Sequence, residues 1–397
     1  MYRPEPFSSA TWWAPLRTPV SSCGTIPHTA SMPSVGVQFR ACLRPSPRHP
    51  PRTAEPCVGG RPALLSPASA DAPHVLCGPG HRLLVQRGDT EVAVRDLDQN
   101  GPEVRFPAPW PRGFGSVTVS PAGDVAVFAG VHALRAVDRA GAVLWEVRHG
   151  CWSSTVCAEP HTSFVEYADD RNHRYADHGS AAFSPDGKLL WAHVRSDSGE
   201  DLEEWLVLDP ADGTVLGRVG TGTVGSSFPT PHPDPAYMGL TVGEGDEDSP
   251  ALWGRWDGRT LSVRRLDEQV LLAVSPSGRH LLATDPGQWC LYLLQKEDGE
   301  ELRRLAAADA VPPPSGDDHA RWDYEAAFPH DDAAVVGTGY DMGDPRHWLV
   351  DPATMTLRGR IAYPFPVHGS ARGAGHGTWY TVSQDQTLLY LWRLDGR

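Results

Sequence analysis

"SAAFSPDGKLLWAHV", residues 180–194, is a short apolar run, a Ser-Pro-Asp-Gly turn and a second apolar run. The middle residues favour a tight reversal. Pro presets its own φ, Asp bonds to nearby backbone, and Gly accepts the positive φ that closes the turn. The flanking runs are too short for independent helices and read as two paired strands. The phrase returns as "GSVTVSPAG" (115–123) before "DVAVFAGV" and as "VLLAVSPSG" (270–278) before "RHLLATDPG". Looser versions are "PHVLCGPG" (73–80), "SSFPTPHPDP" (226–235), "EAAFPHDD" (325–332) and "GSARGAGHG" (369–377).

A third strand follows each pair and stops at Asp96, Asp138, Asp209, Asp257, Gln295, Asp351 or Asp395. These stops stand 42, 71, 48, 38, 56 and 44 residues apart. A fourth strand is visible in six units, as in "AVLWEVR", "TVLGRVG" and "TLRGRIAY". Four short strands repeated at about 40–45 residues predict a β-propeller, in which each unit is one blade packed between two others. With 38 Pro and 40 Gly, long helices are not expected.

The turns at Ser120–Gly123, Ser184–Gly187 and Ser275–Gly278, with aromatic third strands ending in Asp, resemble the WD-repeat propeller family. The resemblance covers residues 60–397. It implies an all-β, seven-bladed β-propeller that acts as a non-catalytic binding scaffold. No unit has the family's Gly-His pair before its first strand, although His178-Gly179 shows it reversed. Only "RWD" at Arg255–Asp257 spells Trp-Asp at a strand end.

The seventh unit reaches Arg397 without a fourth strand, so the missing strand is expected from the other end of the chain. "RPALLSP", residues 61–67, is the apolar candidate, giving a propeller over residues 59–397. Residues 1–58, rich in Pro, Arg and Ser, lack a sustained period and read as a disordered tail. On this reading truncation before residue 59 is tolerated and truncation at 72 is not.

The net charge is −14, unevenly divided: +5 over residues 1–70 and −19 over the rest. An acidic body argues against nucleic acid and anionic membranes and for a basic protein or peptide partner. Seven scattered cysteines, 23, 42, 57, 77, 151, 157 and 290, do not form a secreted disulfide framework. There is no apolar run of membrane-spanning length and no signal-peptide pattern. The expectation is a cytoplasmic monomer with reduced thiols.

The 71-residue interval carries a surplus, residues 149–179, between the fourth strand of unit two and the first of unit three. A long loop in a compact fold is more often functional than idle. His149, Cys151, Cys157 and His161 offer nitrogen and sulfur ligands, but the Cys-to-Cys gap exceeds ordinary zinc spacing. Glu166, Asp169, Asp170, His173, Asp177 and His178 could hold a hard cation, without a calcium-loop pattern. Against both stands a solvated loop anchored by Trp152, Phe164 and Tyr175, its cysteines buried as small apolar groups. No metal or cofactor is assigned.

A recognition surface is the favoured reading. Strand-two-to-three loops share the insertion's side, and in units three and four they are acidic: Asp197, Glu200 and Asp201, then Asp246, Glu247 and Asp248. With Glu166, Asp169, Asp170 and Asp177 they make an acidic face at blades three and four, suited to a basic partner. Asp177, His178, Asp323 and Glu325 precede first strands and could point to the channel mouth, where a metal-assisted hydrolase is the alternative. "GTGTVG", Gly220–Gly225, fits a dinucleotide pattern, but the prolines after it forbid the required helix. No nucleophile elbow, P-loop or zinc-protease motif occurs.

Overall fold

The computed structural model describes residues 52–57, 60–78, 80–99, 101–153, 157, 160–174, 178–197, 201–244, 249–313, 319–339 and 345–395. The strands form five separate four-stranded antiparallel sheets and one nine-stranded sheet. The sheets span residues 74–107 (blade one), 115–148 (two), 181–220 (three), 226–266 (four) and 270–306 (five). The large sheet joins residues 322–362 (blade six) to 372–394 (blade seven) through a strand from the N-terminal side. Counted this way, the described strands make seven blades. From blade two to seven and on to blade one, the first strand of each blade touches that of the next. Blades one and two meet through His81, whose Nε2 bonds to the Pro121 carbonyl. The result is a closed ring, the β-propeller that the repeat predicts.

Burial follows position within the blade. Second strands such as Val125–Gly130 and Ala333–Thr338 are almost wholly buried, whereas outer strands such as Glu301–Ala306 are largely exposed. A middle strand is covered on both faces by neighbouring blades, so it must be apolar throughout. Tryptophans fill the seams. The Trp145 indole of blade two donates to the Pro210 carbonyl of blade three at 2.8 Å, and Trp191 and Trp205 pack 5.3 Å apart toward blade four.

The repeated sequence marks have local causes. Ser120, Ser184 and Ser275 each accept, at Oγ, the backbone N–H five residues on, and Gly123, Gly187 and Gly278 take φ of 65°, 69° and 71°. The acids ending third strands cap the next turn. Oδ1 of Asp96, Asp138, Asp209, Asp257 and Asp351 accepts a backbone N–H two residues on, at 2.8 or 2.9 Å. These carboxylates shape turns. In unit five Asp298 takes over this work, accepting from Glu300 N–H at 3.0 Å.

The closing strand differs from expectation. It is Arg52–Pro56, antiparallel to Leu388–Leu394 with Ala54 opposite Leu394, and only Arg61–Pro62 continues the pairing. Its first residues also pair in parallel with blade six, Arg52 opposite Ile361. After Ala63, whose N–H still donates to the Thr387 carbonyl at 2.8 Å, the chain leaves the edge: the N–H groups of Leu64 and Leu65 donate to Gln86 Oε1 at 2.9 and 2.7 Å. An outermost strand buries one face only, so a single inward Ala54 suffices, and the more apolar "PALL" packs beside blade one instead. Among the described residues the propeller strands therefore reach back to residue 52, before the expected boundary at 59, and the truncation expectation moves with them. The rest of the N-terminal segment read as a tail, residues 1–51 and 58, lies outside the described residues.

Candidate functional site

Strand direction fixes two faces. First-to-second and third-to-fourth turns lie on one; second-to-third turns and blade-to-blade connections lie on the other. The insertion, after Val143–Arg148 and before Ala181–Phe183, belongs to the second face. It starts on the frame. The Gly150 N–H donates to the Arg195 carbonyl of blade three at 2.9 Å, and Trp152 N–H to the Val131 carbonyl of blade two at 3.0 Å. Residues 160–174 lean back over blade two. Phe164 packs edge-on to Phe114 at 5.0 Å, and the Tyr167 hydroxyl lies 2.6 Å from His132 Nδ1. Burial holds the His132 imidazole down to about 4, so it stays neutral, and raises the Tyr167 phenol. The Ser153 hydroxyl donates to the Asn172 carbonyl at 2.8 Å, tying the two ends together.

Inside this fold-back, Cys151, Cys157, His161 and His173 converge, with one ligand atom from each within 4.8 Å of the others. Cys157 Sγ lies 3.0 Å from His173 Nε2 and 3.4 Å from His161 Nε2, and the two Nε2 atoms are 3.1 Å apart. The opposite ring nitrogens are held by carboxylates: His161 Nδ1 to Glu166 Oε2 at 3.1 Å and His173 Nδ1 to Asp170 Oδ2 at 2.9 Å. Thr162 foremost, then His161, holds the Glu166 carboxyl below its usual range; the Asn172 backbone N–H foremost, then His173, does so for Asp170. His173 also stacks on Tyr167, with ring centroids 4.9 Å apart.

This set differs from both ligand groups suggested by the sequence. His149 is turned away: its Nδ1 meets the Gly150 carbonyl at 2.7 Å, and burial lowers it to about 4. His173 takes its place, contributed from the carboxylate-rich half of the loop. Of the carboxylate group only Glu166 and Asp170 stand behind the cluster; Asp169 is exposed, His178 lies elsewhere and Asp177 is outside the described residues. The available signal was an acid close in sequence to each imidazole, Glu166 five residues after His161 and Asp170 three before His173.

The remaining proposed residues are dispersed. Glu166 and Asp170 face the imidazoles, and Asp169 is exposed. Asp197 and Asp201 are exposed on the blade-three loop, with the Asp201 carboxylate lying across Gly220. Asp177, Glu200, Asp246, Glu247 and Asp248 lie outside the described residues. The His178 N–H donates to Ser226 Oγ at 3.4 Å, and its ring lies over the Gly179 carbonyl. Asp323 and Glu325 do not precede a strand; they sit within Trp322–His330 of blade six. Asp323 is buried against Gly337, and Glu325 pairs with Arg372 of blade seven at 2.5 Å.

Glu203 was missed. It is fully buried and holds the start of blade four to blade three. Its Oε1 accepts Gly225 N–H at 2.8 Å and pairs with Arg195 at 3.4 Å; its Oε2 accepts the Thr223 hydroxyl at 2.9 Å beside His193 Nε2. In sequence it is one acid among several in an acidic loop, and only the buried partners set it apart. Nearby, Leu202 and Val224 are 54% and 47% exposed, apolar side chains beside carboxylates.

No family model and no curated protein matches the chain. Solved structures do. "Structure of U3-55K" matches at TM-score 0.48 and 10% identity, covering 84% of this chain and 100% of that one. The RRP9 WD40 repeats match at 0.49 and 10%, covering 84% and 98%. The β-propeller domain of Myceliophteria thermophila Cps50 (Swd1) matches at 0.48 and 12%, covering 81% and 95%. The class of this protein, a β-propeller, rests on its own sheet topology.

Proposed function

We propose that this protein is a non-catalytic scaffold whose loop face binds a basic protein or peptide. The carrying observation is the mixed surface around blade three: exposed Asp197 and Asp201 next to exposed Leu202 and Val224, with Asp169 exposed on the insertion. Apolar side chains ringed by charge are the usual make-up of a docking patch. The charge of one sign selects arginine- or lysine-bearing segments and speeds their capture at low salt. The acidic cluster is read here as centred on blade three, with the blade-four loop a proposed extension.

The test is selection of peptides from a random library on the full chain, followed by titration at low and high salt. Enrichment of Arg or Lys beside apolar residues, weakening as salt rises, supports the proposal. So does at least about fivefold weaker binding by Asp197→Asn/Asp201→Asn. Peptides without basic enrichment, or binding indifferent to the double substitution, would overturn it.

A further inference from the structure

We infer that Cys151, Cys157, His161 and His173 form a tetrahedral site for a zinc-class divalent cation, which clamps the insertion to the propeller. The inference stands apart from the peptide-binding proposal. Its starting point is proton bookkeeping. Carboxylate oxygens accept, so Nδ1 of His161 and Nδ1 of His173 donate, to Glu166 and Asp170. A ring that carries only this proton turns the lone pair of Nε2 into the cluster. Those two lone pairs face each other across 3.1 Å, with a sulfur 3.0 and 3.4 Å away. Two acceptors so placed need a shared proton or a metal ion between them, and the sulfurs of Cys157 and Cys151 converging on the same point favour the metal.

The dimensions suit that cation. With zinc–nitrogen bonds of about 2.0 Å and zinc–sulfur bonds of about 2.3 Å, a tetrahedron has ligand–ligand edges of about 3.3–3.8 Å. The edges among Cys157, His161 and His173 are within a few tenths of an ångström of this range, and Cys151 Sγ completes the set within 4.8 Å. A pair of thiolates and a pair of neutral imidazoles also balances a divalent charge, which suits a site where Cys151 and His173 are buried. Mixed sulfur and nitrogen donors in tetrahedral array favour zinc over magnesium or calcium. The two carboxylates behind the imidazoles are the outer shell that orients such ligands and raises their basicity.

Four protein donors leave no position for a substrate, so the site is structural. Its anchor point is Cys151, fixed between Gly150 on blade three and Trp152 on blade two. Cys157, His161 and His173 belong to the fold-back. The ion therefore ties three points of the insertion to one point of the ring, in a segment with no β-ladder of its own among the described residues.

The test uses the full chain, purified under reducing, chelator-free conditions from zinc-supplemented culture. About one zinc per chain is expected by elemental analysis. Exchange with cobalt should give the intense visible bands of tetrahedral coordination and the near-ultraviolet band of thiolate-to-cobalt charge transfer. Cys157→Ser should lower the zinc content at least about tenfold, and Cys290→Ser on blade five should not. Asp170→Asn, a positioning residue, should keep the stoichiometry but weaken zinc affinity about 10–100-fold in chelator competition. Under a tenth of a zinc per chain, a six-coordinate cobalt spectrum, or a Cys151–Cys157 disulfide after reducing purification would overturn the inference. If Cys157→Ser fails to fold, the cobalt spectrum of the unmodified chain decides alone.

Discussion

Blade three and the insertion that leads into it are adjacent in the chain and built on different physics. Blade three, residues 181–220, has three antiparallel ladders and buries Leu190, Trp191, Trp205 and Val207 between blades two and four. The insertion, residues 149–179, has a single turn of 3-10 helix, Phe164–Glu166, and no strand among its described residues. Its order comes from a few polar bonds, an aromatic cluster around Tyr167 and the Cys–His convergence. A blade repeats one solution and spreads its stability over many equivalent contacts. The insertion concentrates its stability in a handful of side chains, among them Cys151, Trp152 and Tyr167, which pack into the core of blade two.

The most severe challenge to the ring is loss of its closing strand. A chain starting at residue 60 lacks Arg52–Pro56 and exposes the edges of blades six and seven together. We expect a stability loss on the order of 5 kcal/mol against a chain starting at residue 50, from several ladder bonds at about 1 kcal/mol each plus lost packing. Thermal unfolding of the two chains measures this. Equal melting temperatures would show that the ring closes without that strand.

A pair of substitutions sharpens the contrast at side-chain level. Trp191 is 1% exposed and packs on Trp205 and the backbone of Gly254, whereas Val165 of the insertion is 82% exposed. Trp191→Ala should cost about 3–5 kcal/mol and Val165→Ser less than about 0.5 kcal/mol in denaturant titrations. A large effect at Val165 would mean that the insertion's surface is itself covered.

The most gradual expected effect is the ring's response to acid. His347 of blade six and His74 of blade one are buried, and burial foremost lowers each imidazole to about 4. His347 donates from Nε2 to the Gly369 carbonyl and accepts the Tyr363 hydroxyl at Nδ1, so only the neutral ring satisfies both. The unfolded chain, with imidazoles near about 6.5, then binds more protons than the folded one between pH 6.5 and 4. The contribution of these rings is whole above about pH 6.5 and declines as pH falls toward 4, by on the order of 1–3 kcal/mol per ring. Melting temperatures from pH 7 to 4.5 should fall, and less steeply in His347→Gln. A flat profile would contradict the buried neutral assignment.

The propeller was legible because its marks are local. Ser-Pro-x-Gly turns and acid-capped third strands act within five residues, so their spacing exposes the repeat directly. The closing strand was misplaced by about ten residues because apolarity is a poor guide to an outer strand, where only Ala54 needs to be buried. At the insertion, the residue types were visible but their grouping was not. His149 is nearer Cys151 in sequence than His173 is, yet His149 turns to its own backbone while His173 is delivered by a twelve-residue return from His161.

The sequence by itself determined the blade: its four strands, its turns and its recurrence, since each depends on neighbours a few residues apart. Only the tertiary structure decided which strand shuts the ring, which carboxylates face solvent and which four donors meet. Those outcomes depend on distances between segments far apart in the chain, and side-chain chemistry alone does not encode which distant partner arrives.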